Sequence, residues 1–435
     1  MNAAFQHHTR WTILPQSSNE ETTLMRACNL PRLVARVLVS RGKSDPYDVQ
    51  TYLSADIERD WEDPYCIPGM HAAVQRIRAA LKAHERIAVF GDFDVDGITS
   101  TCLLTQALTA LGATVTPFIP NRTHEGYGLS VAALTRLLNE TPAQLIITVD
   151  NGISAASEVE WLRSRGIDVV VTDHHEPDNL VPAIDEVCNP KLDVTCPSYD
   201  LAGVGVALKL VCALGAACGN PSLWKDYLEF AALGTLADMM ELTCENRAIV
   251  TAGLERLHYT RTPGLLALAR VSGIDIHSVT SEELPFSLIP RLNAAGRMDS
   301  TMLAYHVLCA DRLSDAFSLA SQLEAVNTLR KEKEAEVTKQ ALEQAERMYK
   351  NERVLVVAGV DWAEGVKGIV AARLQRRYHV PCIVCSIQDG VAKGSGRTAG
   401  SIDLFAAVQS CSDVLERFGG HQGAVGITCA ADALD

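Results

Sequence analysis

Four short runs of strand length, separated by helix-length spacers, constrain this chain more than any other feature. Residues 87–90, 114–119, 145–149 and 169–171 have strand length, and residues 101–111, 131–138 and 155–165 between them have helical spacing. Strands alternating with helices predict a mostly parallel sheet with helices on both faces. With 435 residues in all, the chain has room for two or three domains.

The ends of these runs carry the chemistry. Asp92-Phe93-Asp94-Val95-Asp96-Gly97 follows the first, Asp150-Asn151-Gly152 the third and Asp173-His174-His175 the fourth. Extending the first strand to its tip puts Asp92, Asp94 and Asp96 on one side. Gly97 then turns the chain into a helix capped by Thr99 or Ser100. Ionised carboxylates so crowded raise one another's pKa, and a divalent cation relieves the repulsion. Oxygen ligands suit Mg²⁺ or Mn²⁺, and a neutral imidazole among them suits Mn²⁺. Any one of these tips reads equally well as a solvated turn. Three agreeing on the rim where open α/β sheets bind ligands point to a metal site.

Composition sets the outer bounds. The chain is 47% hydrophobic and 21% charged, and no apolar run is long enough to span a bilayer. The first residues lack a basic segment followed by an apolar one, which points away from secretion. Thirteen cysteines scattered through apolar segments fit reduced core thiols of a cytoplasmic protein. Cys382 and Cys385 would face opposite sides of a strand, which suits a core rather than zinc. A net charge of −14 argues against a broad basic coat, though not against a basic groove.

Residues 1–80 read as a helical lead-in, with helical spacing over 30–38 and 72–81 and breaks at Asp45-Pro46 and Asp63-Pro64. Helices are expected over 201–216 and 228–236. Arg291 and Arg297 flank Asn293-Ala294-Ala295-Gly296, which reads as a small-residue turn. Residues 313–350 predict one long connector helix with Ala316, Leu319, Leu323, Val326, Leu329, Val337, Ala341 and Ala345 as its apolar stripe. Arg330 to Glu336 reads as its solvated face. Strands over 354–358, 381–386 and 424–429, with a helix opening at 364–370, predict a second α/β unit.

The ordered set of motifs resembles the DHH phosphoesterase superfamily and, within it, the RecJ single-strand-specific 5′→3′ exonucleases. The similarity rests on Asp92 to Gly97, Pro120-Asn121-Arg122 with Glu125-Gly126-Tyr127-Gly128, Thr148 to Ser154 and Asp173-His174-His175. It continues through Leu201 to Ala207, Gly234 to Asp238, Pro290 to Arg297, Lys393 to Arg397 and Phe418-Gly419-Gly420-His421. The resemblance implies an α/β fold with a parallel-sheet DHH domain (81–312), a connector helix (313–350) and a smaller DHH-associated domain (351–435). It implies two Mn²⁺ or Mg²⁺ ions held by Asp94, Asp96, Asp150, His174 and Asp238, with Asp92 close by and His175 on the scissile phosphate. Substrate contacts follow at Arg122, Tyr127, Arg291, Asn293, Arg297, Ser395, Gly396, Arg397 and His421. In this reading Lys393 to Thr398 is a glycine loop holding a terminal phosphate, with Phe418 to His421 its companion.

Phe90 stands where other members of the superfamily carry a histidine. The implied activity is metal-dependent 5′→3′ hydrolysis of single-stranded DNA in recombination and repair, with a helicase and a single-strand-binding protein as partners. Competing readings are a phosphoesterase of short oligonucleotides or cyclic dinucleotides, and an inactive DNA-binding scaffold. The OB-type domain that RecJ proteins usually carry is missing before Asp435. Either the sequence is a fragment or the two-domain cleft alone grips DNA.

Overall fold

The computed structural model describes residues 17–121, 125–126, 128–298, 300–350 and 352–434. Strands β1 (Arg86–Phe90), β2 (Thr114–Phe118), β3 (Leu145–Val149), β4 (Asp168–Thr172) and β5 (Val187–Cys188) form a parallel sheet in the order β2-β1-β3-β4-β5. The four expected strands are there; β5 is too short to show a sequence pattern. Both faces are apolar because both are covered. Val89, Ile147 and Val170 face the helices Met70–Ala83, Val95–Ala110 and Gly203–Ala217, while Ala88, Phe90 and Ile146 face Val131–Glu140 and Ala156–Arg163. Each of the buried valine, isoleucine and phenylalanine side chains contributes about 1.5–3 kcal/mol. Strand order reverses between β1 and β3, so the crevice lies beyond the carboxyl ends of those two strands.

The first acidic loop departs from the expected geometry. β1 stops at Phe90, and the following helix begins at Val95 with Asp94 as its cap, accepting from the Gly97 N–H at 3.1 Å. Thr99 and Ser100 lie inside that helix. Asp92, Asp94 and Asp96 are therefore spread over a loop, a cap and a first helical turn, not one side of a strand. A second correction concerns Asn293 to Gly296, which belong to the helix Leu288–Arg297 rather than a turn.

Towards the N-terminus, Ser18–Ala27, Arg32–Ser40 and Pro46–Ser54 pack as a small helical satellite around Leu24, Ala35, Leu38 and Val49. Trp61, which follows it, stacks on Trp224 at 4.4 Å between ring centroids. Under that pair the fully buried Lys209 is matched by Glu245 and by the Glu62 carbonyl.

The helix Leu313–Met348 runs from the first unit to the second. Its buried stripe includes Ala316, Leu323, Val337, Ala341 and Ala345, whereas Leu329 is exposed and Asn327 takes an interior place. The charged run is not simply a solvated face. Glu334 is buried and gripped by Arg330 and by Arg373 of the helix Lys367–Tyr378, which ties the connector to the second unit.

That unit is a sheet of β6 (Leu355–Val360), β7 (Cys382–Gln388), β8 (Val391–Arg397), β9 (Arg417–His421) and β10 (Ala424–Ala430), ordered β6-β7-β8-β10-β9. β6 and β7 run parallel, and the other pairings are antiparallel. Cys382 and Cys385 fall in cores on opposite faces, as expected. The supposed glycine loop at Lys393 to Arg397 is strand β8, hydrogen-bonded on both edges, so its backbone N–H groups serve the ladder and not an anion. Gly394 and Gly396 are there for packing: a Cβ at Gly394 would lie 2.7 Å from Ile427 and 2.8 Å from the Cys385 sulfur. Phe418 to His421 likewise belongs to a strand, β9, at the sheet edge.

Candidate metal centre and the cleft beside it

Three parallel strands and two helices deliver the acids and histidines to one place. Asp92, Asp94 and Asp96 follow β1, Asp150 follows β3, His174 and His175 follow β4, and Asp238 ends the helix Leu228–Ala237. Ligand atoms of Asp150, His174 and His175 lie within 4.8 Å of one another, as do those of Asp96, His174 and Asp238, and of Asp92, Asp94 and Asp150. His174 Nε2 is the hub, 3.2 Å from Asp150 Oδ1, 3.6 Å from Asp238 Oδ2 and 3.8 Å from Asp96 Oδ2.

Local structure fixes each group. Asp96 accepts from the N–H groups of Gly203 and Val204 at 2.7 and 2.9 Å, so the N-terminus of Gly203–Ala217 points at its carboxylate. Asp150 has φ of 61°, a left-handed conformation, and its neighbour Asn151 clamps the strand end by donating to the Val149 carbonyl at 2.9 Å. Two glycines leave space for the acids. A Cβ at Gly203 would sit 2.7 Å from Asp150 Oδ1, and one at Gly234 would sit 2.7 Å from Asp96 Oδ1.

Sequence reasoning gave Asp173 no role, although it lies in the motif that defines the site. Its carboxylate accepts from the N–H groups of Ile153, His174 and His175 and meets His175 Nδ1 at 2.7 Å. Asp173 thereby fixes the backbone that presents both histidines.

The electrostatics describe a site built for cations. Burial, then the charges of Asp238 and Asp94, push Asp96 well above the carboxylate range. Burial and the neighbouring acids do the same to Asp150, and burial with Asp94 raises Asp238 to about 6. Burial and the neighbouring His175 lower His174 to about 3, which keeps it a neutral ligand. Burial also opposes charge on His175, but the Asp173 hydrogen bond outweighs it and raises that imidazole to about 9. A buried carboxylate oxygen, Asp150 Oδ1, receives no hydrogen bond from the described residues. Crowded acids, a neutral imidazole and that unsatisfied oxygen fit Mn²⁺ or Mg²⁺.

A cleft of about 480 Å³ opens between the two units. Phe93 and Arg297 line one wall, and Glu364, Lys367, Lys393, Ser395, Arg417 and Phe418 line the other. Alternation along β8 turns Lys393, Ser395 and Arg397 to the face opposite buried Ala392, Gly394 and Gly396. Arg397 lies against the first turn of Lys367–Tyr378, where a Cβ at Gly368 would meet its Nη2 at 2.9 Å.

The other expected contacts fare differently. Arg291 pairs with Glu324 of the long helix and donates to the Ser287 carbonyl. Asn293 accepts from the Val95 N–H at 3.2 Å and so holds the start of the acid-bearing helix. His421 is exposed at the end of β9 and accepts from the Gly423 N–H. Arg122 and Tyr127 lie outside the described residues. Lys367 and Arg417 gave no usable signal in the sequence, because a lysine opening a helix and an arginine on an edge strand are commonplace.

Comparison with known proteins agrees with this architecture. Residues 86–235 match the DHH family, N-terminal domain, and residues 351–435 match the DHHA1 domain. A single-stranded-DNA-specific exonuclease RecJ of Bacillus subtilis (strain 168) is 38% identical over 97% of this chain, which spans 53% of that relative's length. The corresponding protein of Dickeya dadantii is 37% identical over 94% of this chain and 73% of its own length. A crystal structure of exonuclease RecJ bound to manganese superposes with a TM-score of 0.74 at 34% identity, covering 85% of this chain and 91% of that one. RecJ of Thermus thermophilus in complex with Mn²⁺ gives a TM-score of 0.82 at 30% identity, covering 97% and 60%. By sequence, fold and the chemistry of its strand tips, the chain belongs to the RecJ family.

Proposed function

We propose that this chain is a metal-dependent exonuclease that hydrolyses single-stranded DNA from the 5′ end to mononucleotides, serving DNA recombination and repair in the cytoplasm. The observation that carries the reading is the convergence of Asp96, Asp150 and Asp238 on His174, beside a cleft lined by Arg297, Lys393 and Ser395. Residues 81–312 would form the catalytic unit and residues 351–435 the unit that receives the strand end. A helicase that unwinds duplex ahead of the enzyme, and a protein that keeps the strand single, are the partners such an activity calls for.

Asp94, Asp96, Asp150, His174 and Asp238, with Asp92 beside them, would hold two Mn²⁺ or Mg²⁺ ions, which supply charge neutralisation and a metal-activated water at neutral pH. The protein's own groups do the rest. His175 engages Asp173 through Nδ1, which directs the opposite ring nitrogen, Nε2, to donate to the scissile phosphate. Arg297, Lys393, Ser395 and Arg397 receive the 5′ phosphate, guanidinium and ammonium neutralising it and the hydroxyl orienting it. A terminal phosphate held at a fixed remove from the acids sets the cut at one nucleotide. A cleft of this volume takes a nucleotide-sized group, which favours single strands over duplex.

The test is incubation of the 435-residue chain with Mn²⁺ and single-stranded DNA labelled at either end, beside duplex and RNA controls. Stepwise mononucleotide release from the 5′ end is expected. Cleavage confined to di- and trinucleotides would replace this reading with that of a short-oligonucleotide phosphoesterase.

A further inference from the structure

Met239 follows Asp238 directly and is out of place by every structural standard. It has φ of 56° and is 88% exposed. The helix Leu228–Ala237 ends at Asp238, and two hydrogen bonds close it: Met239 N–H to the Leu236 carbonyl and Met240 N–H to the Thr235 carbonyl, both 3.3 Å. This is a Schellman closure, whose left-handed position strongly favours glycine. A methionine there keeps the strain and adds an apolar side chain in water. Such an outlier beside a reactive centre motivates a functional role.

Its surroundings say which role. Asp238 has a side chain 31% exposed, where those of Asp96 and Asp150 are almost fully buried, so it forms the open side of the acid cluster. One residue further on, the exposed Met239 carries its thioether on an unbranched stem, next in the chain to that open carboxylate. Sulfur and methylene groups meet aromatic faces favourably without selecting among them. That suits an enzyme that must accept every base in turn.

We propose that Met239 is a substrate-positioning residue, contacting the face of the nucleobase next to the scissile phosphate. The inference rests on the exonuclease reading above and deepens it. A thioether reads no base by specific hydrogen bonds, so its contribution is the same for all sequences.

The experiment compares wild type with Met239→Gly and Met239→Leu on 5′-phosphorylated single strands saturated with Mn²⁺. Two further strands carry an abasic tetrahydrofuran residue at the first or the second position. Met239→Gly should melt at a higher temperature than wild type, since glycine relieves the left-handed strain. On normal strands it should nonetheless lose about three- to tenfold in kcat/KM. Met239→Leu should recover most of that loss. The ratio of wild type to Met239→Gly should fall towards one on one of the two abasic strands, which identifies the base contacted. An undiminished ratio on both abasic strands, or no loss in Met239→Gly on normal DNA, overturns the proposal. Failure of the wild type to degrade any strand would instead overturn the exonuclease reading.

Discussion

Asp173 Oδ1 and His175 Nδ1 lie 2.7 Å apart, and this contact orients the histidine on the open side of the centre. The same oxygen accepts from the N–H groups of His174 and His175, while Oδ2 accepts from Ile153. One buried carboxylate thus fixes two consecutive side chains with different duties. His174 is driven neutral and points into the acids; His175 is held charged and half-exposed.

Asp173→Asn should separate these duties. The amide keeps one acceptor for the backbone but removes the charge that holds the His175 proton, leaving the metal-facing acids in place. Activity should drop about 10- to 100-fold, the usual cost of losing a supporting carboxylate. Calorimetric Mn²⁺ affinity should change far less. An equal loss of both would mean that Asp173 shapes the metal pocket itself.

Asp150→Asn should have opposite effects with and without metal. Asp150 is buried among Asp92, Asp94, Asp96 and Asp173, and without cations their mutual repulsion works against folding. Asparagine tolerates the left-handed backbone found here and removes one of the crowded charges. The metal-free variant should therefore unfold at a higher temperature than metal-free wild type, by about 1 kcal/mol. The rise in melting temperature that Mn²⁺ confers on wild type should shrink or vanish, together with cleavage. A metal-free variant less stable than wild type would show that packing, not repulsion, dominates at this position.

How much of this was legible depended on whether a feature is local. Runs 87–90 and 145–149 are buried at every position and apolar except at Thr148, because both sheet faces are covered, so the strands could be read directly. The acids at their ends followed from that. Lys393 to Arg397 misled for a physical reason: glycines that usually mark a loop here admit Ile427, Cys385 and Val425 beneath a strand, a tertiary demand with no local signature. Asn293 to Gly296 misled similarly, since its small residues let the helix approach the Phe93 carbonyl, where a Cβ at Gly296 would sit 2.2 Å away. Glu334 looked like one more charge on a polar helix until Arg373 arrived from 39 positions along the chain to bury it.

Gly203→Ala tests the packing around the acids without touching a ligand. The new Cβ would stand 2.7 Å from both Cβ and Oδ1 of Asp150, and relief requires the carboxylate to move. Helix propensity favours alanine, so overall stability should fall by no more than about 1–3 kcal/mol of overpacking. Mn²⁺ affinity should fall clearly, because the displaced group is a ligand atom. Wild-type Mn²⁺ affinity in a well-folded variant would place Asp150 Oδ1 outside the coordination sphere.

Arg291 and Arg297 sit in one helix and looked equivalent as phosphate ligands, yet their surroundings differ. Arg291 is spent on Glu324 and the Ser287 carbonyl, bracing the Leu288–Arg297 helix against the long connector. Arg297 lines the cleft with Lys393 and Ser395 and donates to the Gly365 carbonyl at 3.1 Å. Arg291→Ala should lower stability by about 1–2 kcal/mol, between a surface pair and a buried one, and leave KM nearly unchanged. Arg297→Ala should instead raise KM for 5′-phosphorylated strands by about ten- to a hundredfold, the worth of a charge-assisted contact. Removing the 5′ phosphate from the substrate should erase that difference, since wild type and variant then both lack the contact. If Arg291→Ala shows the phosphate-dependent KM effect and Arg297→Ala does not, the roles drawn from their contacts are reversed.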